Sequence, residues 1–190
     1  MVIFKDLRVS PDGKTLLIGA AMPEYAFAEN MYISGIEISV GSYSSSSRQS
    51  LYAQSDDTEE RKEVWIDVAA SDIEEDDATL TTFDNKLIFV YVTVDGVPTS
   101  DTPCSYDNCE TIGVTYSKRL IYKKALAYVR KSISCGKAVS NDFVNYYLQW
   151  KQFDLALKTG NYTLAASLFE ENLASDDDPI VKIGGCGCGN

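Results

Sequence analysis

Thiolates can hold zinc, and this chain offers two close cysteine pairs: Cys104 with Cys109, four residues between them, and Cys186 with Cys188, one residue between them. A structural zinc site takes four tetrahedral sulfur or imidazole ligands, most often announced by a CxxC knuckle. Neither spacing is that knuckle, the pairs lie far apart in sequence, and the chain has no histidine to complete a mixed site. The carboxylates of Asp72–Asp77 raise the question of calcium. A calcium loop places oxygen ligands at fixed alternate positions around a glycine turn, and DIEEDD has neither feature, so it reads as a solvated acidic loop. The serines at 44–47 have no partner base to make a nucleophile. Gly184-Gly185 open no helix and form no phosphate loop. No catalytic residue, metal or cofactor is expected, and the missing histidine removes the usual general base at neutral pH.

What remains is charge. Over the whole chain of 190 residues the net charge is −11, which argues against a surface that grips nucleic acid while leaving DNA free to slide past an acidic wall. The charge is not evenly spread. Residues 1–117 hold 21 acids against 7 Lys and Arg, net −14; residues 118–190 hold 7 against 10, net +3. One chain with an acidic part and a basic part can attract a copy of itself head to tail.

The change of sign coincides with a change of periodicity near Thr115–Lys118. Before it, the pattern is strands and turns. Ser10-Pro11-Asp12-Gly13-Lys14 is a turn between strands over 3–9 and 15–20, with Gly13 at positive φ. Tyr32 to Val40 make a strand kinked at Gly35, and Val64 to Val68 make another, bracketed by acid runs. Lys86–Val94 is almost continuously apolar, which places it centrally. Ile112–Tyr116 makes a last strand. Five or six short strands separated by turns predict an antiparallel β-sandwich-like domain over 1–117. Gly41–Ser50 is serine-rich and is expected to be mobile or to order only against a partner.

Beyond Lys118 the spacing is helical. Ile121, Ala125 and Val129 recur every four residues over 118–134, as do Tyr122 and Leu126. Ser140 or Asn141 caps a second helix with Tyr146, Trp150, Phe153 and Leu157 on one face. Asn161 caps a third, through about Leu173. The fold class is therefore α+β: a sandwich-like N-terminal part, a three-helix part over 118–175, and a Gly/Cys tail over 176–190. LALKTGNYTLAASLFEENLA is like one tetratricopeptide-type hairpin, but such repeats need about three copies to form an array; an adaptor holding a peptide or protein there is the alternative to self-assembly.

The charge patches are the interface candidates. Arg119, Lys123, Lys124, Arg130 and Lys131 make a basic set; Asp56, Asp57, Glu59 and Glu60, with Glu74, Glu75, Asp76 and Asp77, make the acidic counterparts. Twelve tyrosines suit subunit interfaces as well as a core. The opening MVIFKDLRVS is a strand pattern and not a signal peptide, and no stretch is apolar enough for a membrane helix, so a protein made in the cytoplasm, without membrane contact, is expected. Five cysteines fit reduced thiols better than a disulfide framework.

The order of phrases carries a resemblance: an SPDGK turn, then NMYISGIEI, LIFVYVTVDG, DTPCSYDN and a helical LALKTGNYTLA. The chain resembles small virion proteins of crAss-like and related Bacteroidetes-infecting tailed phages, and among them the ring proteins of the neck or tail adaptor, over most of residues 3–173. The resemblance implies a structural virion protein, a homo-oligomeric ring in the neck or tail that joins portal to tail and lines the DNA conduit. Its partners would be other ring, portal or tail proteins, with non-specific contact to passing DNA.

Elemental analysis of the purified protein should find no stoichiometric zinc. Zinc present at one per chain and lost in Cys104→Ser would overturn the reading of the cysteine pairs.

Overall fold

The computed structural model describes residues 2–23, 31–54, 62–75, 77–96, 108–116, 129–132, 134–136 and 141–173. The chain divides into two compact units, Met1–Ser117 and Lys118–Asn190. Among the described residues the strands of the first are antiparallel and the second is helical, an α+β protein.

The described residues of the first unit form nine strands: β1 (Ile3–Val9), β2 (Thr15–Ala21), β3 (Tyr32–Val40), β4 (Gln49–Ala53), β5 (Glu63–Ala69), β6 (Glu74–Glu75), β7 (Ala78–Thr79), β8 (Leu87–Asp95) and β9 (Asn108–Tyr116). One sheet has the order β1-β2-β5, a second β4-β3-β8-β9, and β6-β7 is a two-residue hairpin. Period-two alternation decides which side chains turn inward. In the first sheet Leu16 faces Val68, Ile18 faces Ile66 and Ala20 faces Val64 across the β2–β5 ladder. In the second, Ile36 and Ile38 face Val92 and Val90. These residues belong to a single apolar core shared by both sheets. Each fully buried aliphatic side chain there contributes roughly 1.5–3 kcal/mol.

β8 lies between β3 and β9, the central place its hydrophobicity predicts. The kink expected at Gly35 is a bulge: the β3–β8 register shifts between Ile33 and Gly35. β4 was not legible, because QSLYA has no alternation of its own; it is a strand because β3 supplies its ladder. At Gly113 on β9, an added Cβ would lie 2.6 Å from Leu7 and from the Phe4 ring. That missing side chain lets β1 pack against β9, where Val2 N also donates to Thr111 Oγ1.

The turn between β1 and β2 is held at both ends. Ser10 N donates to Thr15 O and Gly13 N to Ser10 O. Asp12 accepts from Ser10 Oγ and from Lys14 N, and these donors hold its carboxyl below the usual range. Gly13 sits at φ 73°, and its carbonyl accepts from Phe83 N and Thr82 Oγ1, so the turn is also the seat of the β7–β8 connection.

In the second unit, α1 (Asn141–Lys158) and α2 (Tyr162–Leu168) form the expected hairpin, and a π-helical turn, Phe169–Leu173, continues α2. Asn161 Oδ1 accepts from Leu164 N as the cap of α2. Trp150, Phe153, Phe169, Ala165 and Leu173 are buried. The rings of Trp150 and Phe153 meet edge to face at 5.6 Å, as do Trp150 and Phe169 at 6.4 Å, the arrangement that aromatic quadrupoles prefer. Residues 129–132 are helical; the rest of the helix read over 118–134 falls largely outside the described residues, as does the 176–190 tail. Cys135, expected as a reduced thiol, is in a disulfide.

Gly13→Val should destabilise the protein by more than about 1 kcal/mol. Positive φ strains a β-branched residue, and a Cβ at Gly13 would lie 2.5 Å from Asp84 Oδ2. Thermal denaturation checks it, and an unchanged melting temperature would count against this turn.

Candidate functional site

Alternation along β8 sends Ile88, Val90, Val92 and Val94 into the core and turns Leu87, Phe89 and Tyr91 to the opposite face of the sheet. Those three are nonetheless fully buried. The cover includes the serine-rich segment, which corrects the expectation that it would be mobile or order only on a partner. A 3-10 turn, Ser45–Ser47, is capped by Ser44. Ser39 Oγ donates to Ser42 O and lies 2.7 Å from Ser47 Oγ. The short hydroxyls satisfy one another and the local backbone, and the loop folds back over β8.

Two side chains from this loop close the face. The Tyr43 ring meets Phe89 edge to face at 5.5 Å and stacks with Tyr91 at 6.2 Å. The Arg48 guanidinium lies 3.6 Å from the centre of the Tyr91 ring. Its Nη1 and Nη2 donate to the two carboxylate oxygens of Glu110 on β9, at 2.6 and 3.3 Å, and Glu37 Oε2 on β3 is 3.7 Å away. Burial weakens the charged form of Arg48, but the Glu110 carboxylate offsets this and holds its pKa above the ordinary value. Burial pushes the Tyr91 phenol up, against the pull of Arg48. The result ties β3, β4, β8 and β9 through one cation. Beside it lies a shallow hollow of about 410 Å³ lined by Tyr32, Glu37, Tyr52, Gln54, Thr93 and Asp95 among others.

Three of the acidic candidates are described, and they lie in one short hairpin. Glu74 and Glu75 form β6, and Asp77 stands at the β6–β7 turn with φ 62°. Glu75 is already paired: Lys86 Nζ is 2.6 Å from its Oε2. The amide of Gln49 brackets Glu74, donating to its carbonyl and accepting from its N–H. Glu74 and Asp77 are exposed, and so are Arg130 and Lys131 in the helical unit. Asp56, Asp57, Glu59, Glu60, Asp76, Arg119, Lys123 and Lys124 lie outside the described residues. Among the described residues, no group of three or more Cys, Asp or Glu is arranged to hold a metal ion, and no helix is long and apolar enough to cross a membrane.

Sequence reasoning missed one exposed residue. Trp65, the largest exposed apolar side chain, stands 58% exposed on β5. Its ring lies over Gly19, where a Cβ would come within 2.5 Å of it, and its Nε1 donates to Glu63 Oε1. Alternation with Val64, Ile66 and Val68 is a signal that could have found its face; what alternation cannot show is that the glycine opposite makes a bed for it.

Comparison with known proteins gives the family. The family model described as Crassvirus tail hub protein A matches residues 2–187. The chain belongs to the crassvirus tail hub protein A family. A curated relative, tail hub protein A of Bacteroides phage crAss001, is 30% identical over 106 residues, 55% of this chain and 47% of that protein. The match thus spans about half the length of that relative. Family membership makes the chain a structural component of a bacteriophage tail, a virion protein and not an enzyme. It agrees with the resemblance to crAss-like phage proteins at the level of the tail; a tail hub is the family's own description, where the phrases of the sequence pointed to a neck or adaptor ring.

Arg48→Ala should lower stability by about 1–2 kcal/mol, combining a partly desolvated cation–π contact with a bidentate ion pair. Arg48→Lys should recover only part of it, because an ammonium cannot lie flat on Tyr91 while forking to Glu110. Urea denaturation of the three proteins checks the order.

Proposed function

We propose that this protein is one subunit of a multi-copy ring in the tail hub, that the ring joins portal to tail, and that its acidic unit faces the path of the DNA. The match to the tail hub family over residues 2–187 carries the reading. Charge supports it: the β unit is net −14 and the helical unit net +3. A ring needs two different patches per subunit that close under rotation, and two units of opposite sign supply them. Acidic walls repel the DNA backbone and let it slide, whereas basic ones would bind it in a salt-dependent way. The basic residues Arg119, Lys123, Lys124, Arg130 and Lys131 would meet acids of the neighbouring subunit, with other ring, portal or tail proteins above and below. Family membership favours this reading over a free adaptor that holds a peptide in the α1–α2 hairpin.

Analytical ultracentrifugation and negative-stain microscopy of the full chain test it: closed rings are expected, and a monomer at every concentration would overturn the ring. Exposed charges mainly set encounter and register, and each exposed pair is worth about 0.2–1 kcal/mol. Lys123→Glu with Lys124→Glu should therefore weaken assembly by roughly tenfold with an unchanged monomer melting temperature. Raised salt should slow association of the unaltered chain. Normal rings from the double variant at low and high salt alike would show that the charge split has no part in assembly.

A further inference from the structure

Trp65 is held as a partner-binding residue would be. Exposed aromatic side chains normally lose rotamer freedom when they bind. Here the indole already has a seat, resting on the space left by Gly19 with its Nε1 donating to Glu63 Oε1. By register the surrounding positions on the outer face are Ala21 and Ile3 on one side and Leu17 on the other; Ile3 is exposed and Leu17 half-buried. Glu63 and Asp67 flank Trp65 on the same face of β5, and both are exposed. Asp6, the cross-strand partner of Gly19, is engaged by Arg8 at 3.1 Å. The face is therefore an indole with apolar neighbours, the two carboxylates of Glu63 and Asp67, and an Asp6–Arg8 pair whose charges offset each other.

The sequence around it is the most acidic in the chain. Window 56–77 holds eleven acids against Arg61 and Lys62, net −9. A face-exposed indole favours a guanidinium or ammonium, and the carboxylates favour the same charge. The chain has one strongly basic segment, residues 118–131, with six Lys and Arg, no acid, and the apolar Leu120, Ile121 and Tyr122 between them.

We propose that the Trp65 face is the docking site for the 118–131 segment of a second copy of this chain. This rests on the reading that copies assemble, and it names the heterologous contact: Trp65 as the anchor on one subunit, basic side chains and their apolar neighbours on the next. Tryptophan seated in such a patch carries a large share of binding energy, and the surrounding charges set register.

The chain's two tryptophans make the test direct, because Trp150 is buried and Trp65 is not. The full chain is titrated with a synthetic peptide of residues 118–131 while tryptophan emission and iodide quenching are followed. The peptide should bind at low salt, protect Trp65 from iodide and lose affinity as salt rises. Trp65→Ala should weaken binding by about tenfold or more, as should Glu63→Gln combined with Asp67→Asn, which leaves the indole in place. Trp65→Phe should retain much of the binding and lose the fluorescence response. Absence of peptide binding, or equal binding by Trp65→Ala as measured by calorimetry, overturns the inference. Rings that form normally from Trp65→Ala overturn it while leaving the ring intact. Peptide binding through Trp65 in a chain that never forms rings upholds the contact and removes the ring.

Discussion

Over Leu87–Val92 strand β8 has no solvent face, and the first unit is arranged around that constraint. One row of its side chains, Ile88, Val90, Val92 and Val94, fills the core between the sheets. The other row, Leu87, Phe89 and Tyr91, points away from that core and is as completely buried. An antiparallel sheet ordinarily leaves one face to water. Burying the second face requires a cover, to which Tyr43 and Arg48 of the serine-rich segment contribute. Arg48 is what holds it: a single guanidinium lies on Tyr91 and forks to Glu110, so the loop before β4 is fastened to β8 and β9 together. Arginine suits the position because its plane stacks while its edge donates.

The same logic explains why two glycines sit where an alternating strand would carry side chains. Gly113 leaves room for Phe4 and Leu7 of β1 inside the fold; Gly19 leaves room for Trp65 on its surface. Burial of Phe4 and Leu7 is an ordinary hydrophobic gain. Trp65 gains no such burial in the subunit, since more than half of it stays in water. A glycine within a strand costs conformational entropy, so a surface indole with its own glycine bed is better explained by what it meets than by the stability of the subunit.

The sequence showed what local pattern can show. Pro11-Asp12-Gly13, the alternation in β2, β3 and β5, the continuous hydrophobicity of β8 and the capping Asn161 are all signals carried within a few residues, and each corresponds to an element of the structure. The elements that escaped reading are those whose stability is supplied from elsewhere in the chain. QSLYA is a strand because β3 lies beside it. The serine run is ordered because Tyr43 and Arg48 find Phe89 and Tyr91, more than forty residues on. Glu75 looks like a free interface acid until Lys86 is placed against it. The candidate charges were legible as composition but not as a surface, since composition does not say which carboxylates the fold has already paired.

In a structural component of a tail, function lies in how copies and neighbours fit, and the relevant chemistry is desolvation and charge on surfaces. That is consistent with a chain that has no histidine and a net charge of −11. High net charge of one sign keeps free subunits apart in solution, which suits a protein that must reach its assembly before associating. In the proposed assembly the basic stretch would work against that repulsion locally: it could approach only a surface negative enough to outweigh the rest of its own chain. Window 56–77 meets this condition better than any other, because its net −9 is close to the charge of the whole molecule. Long-range repulsion and short-range attraction are thus written into the same residues, and the balance between them moves with ionic strength.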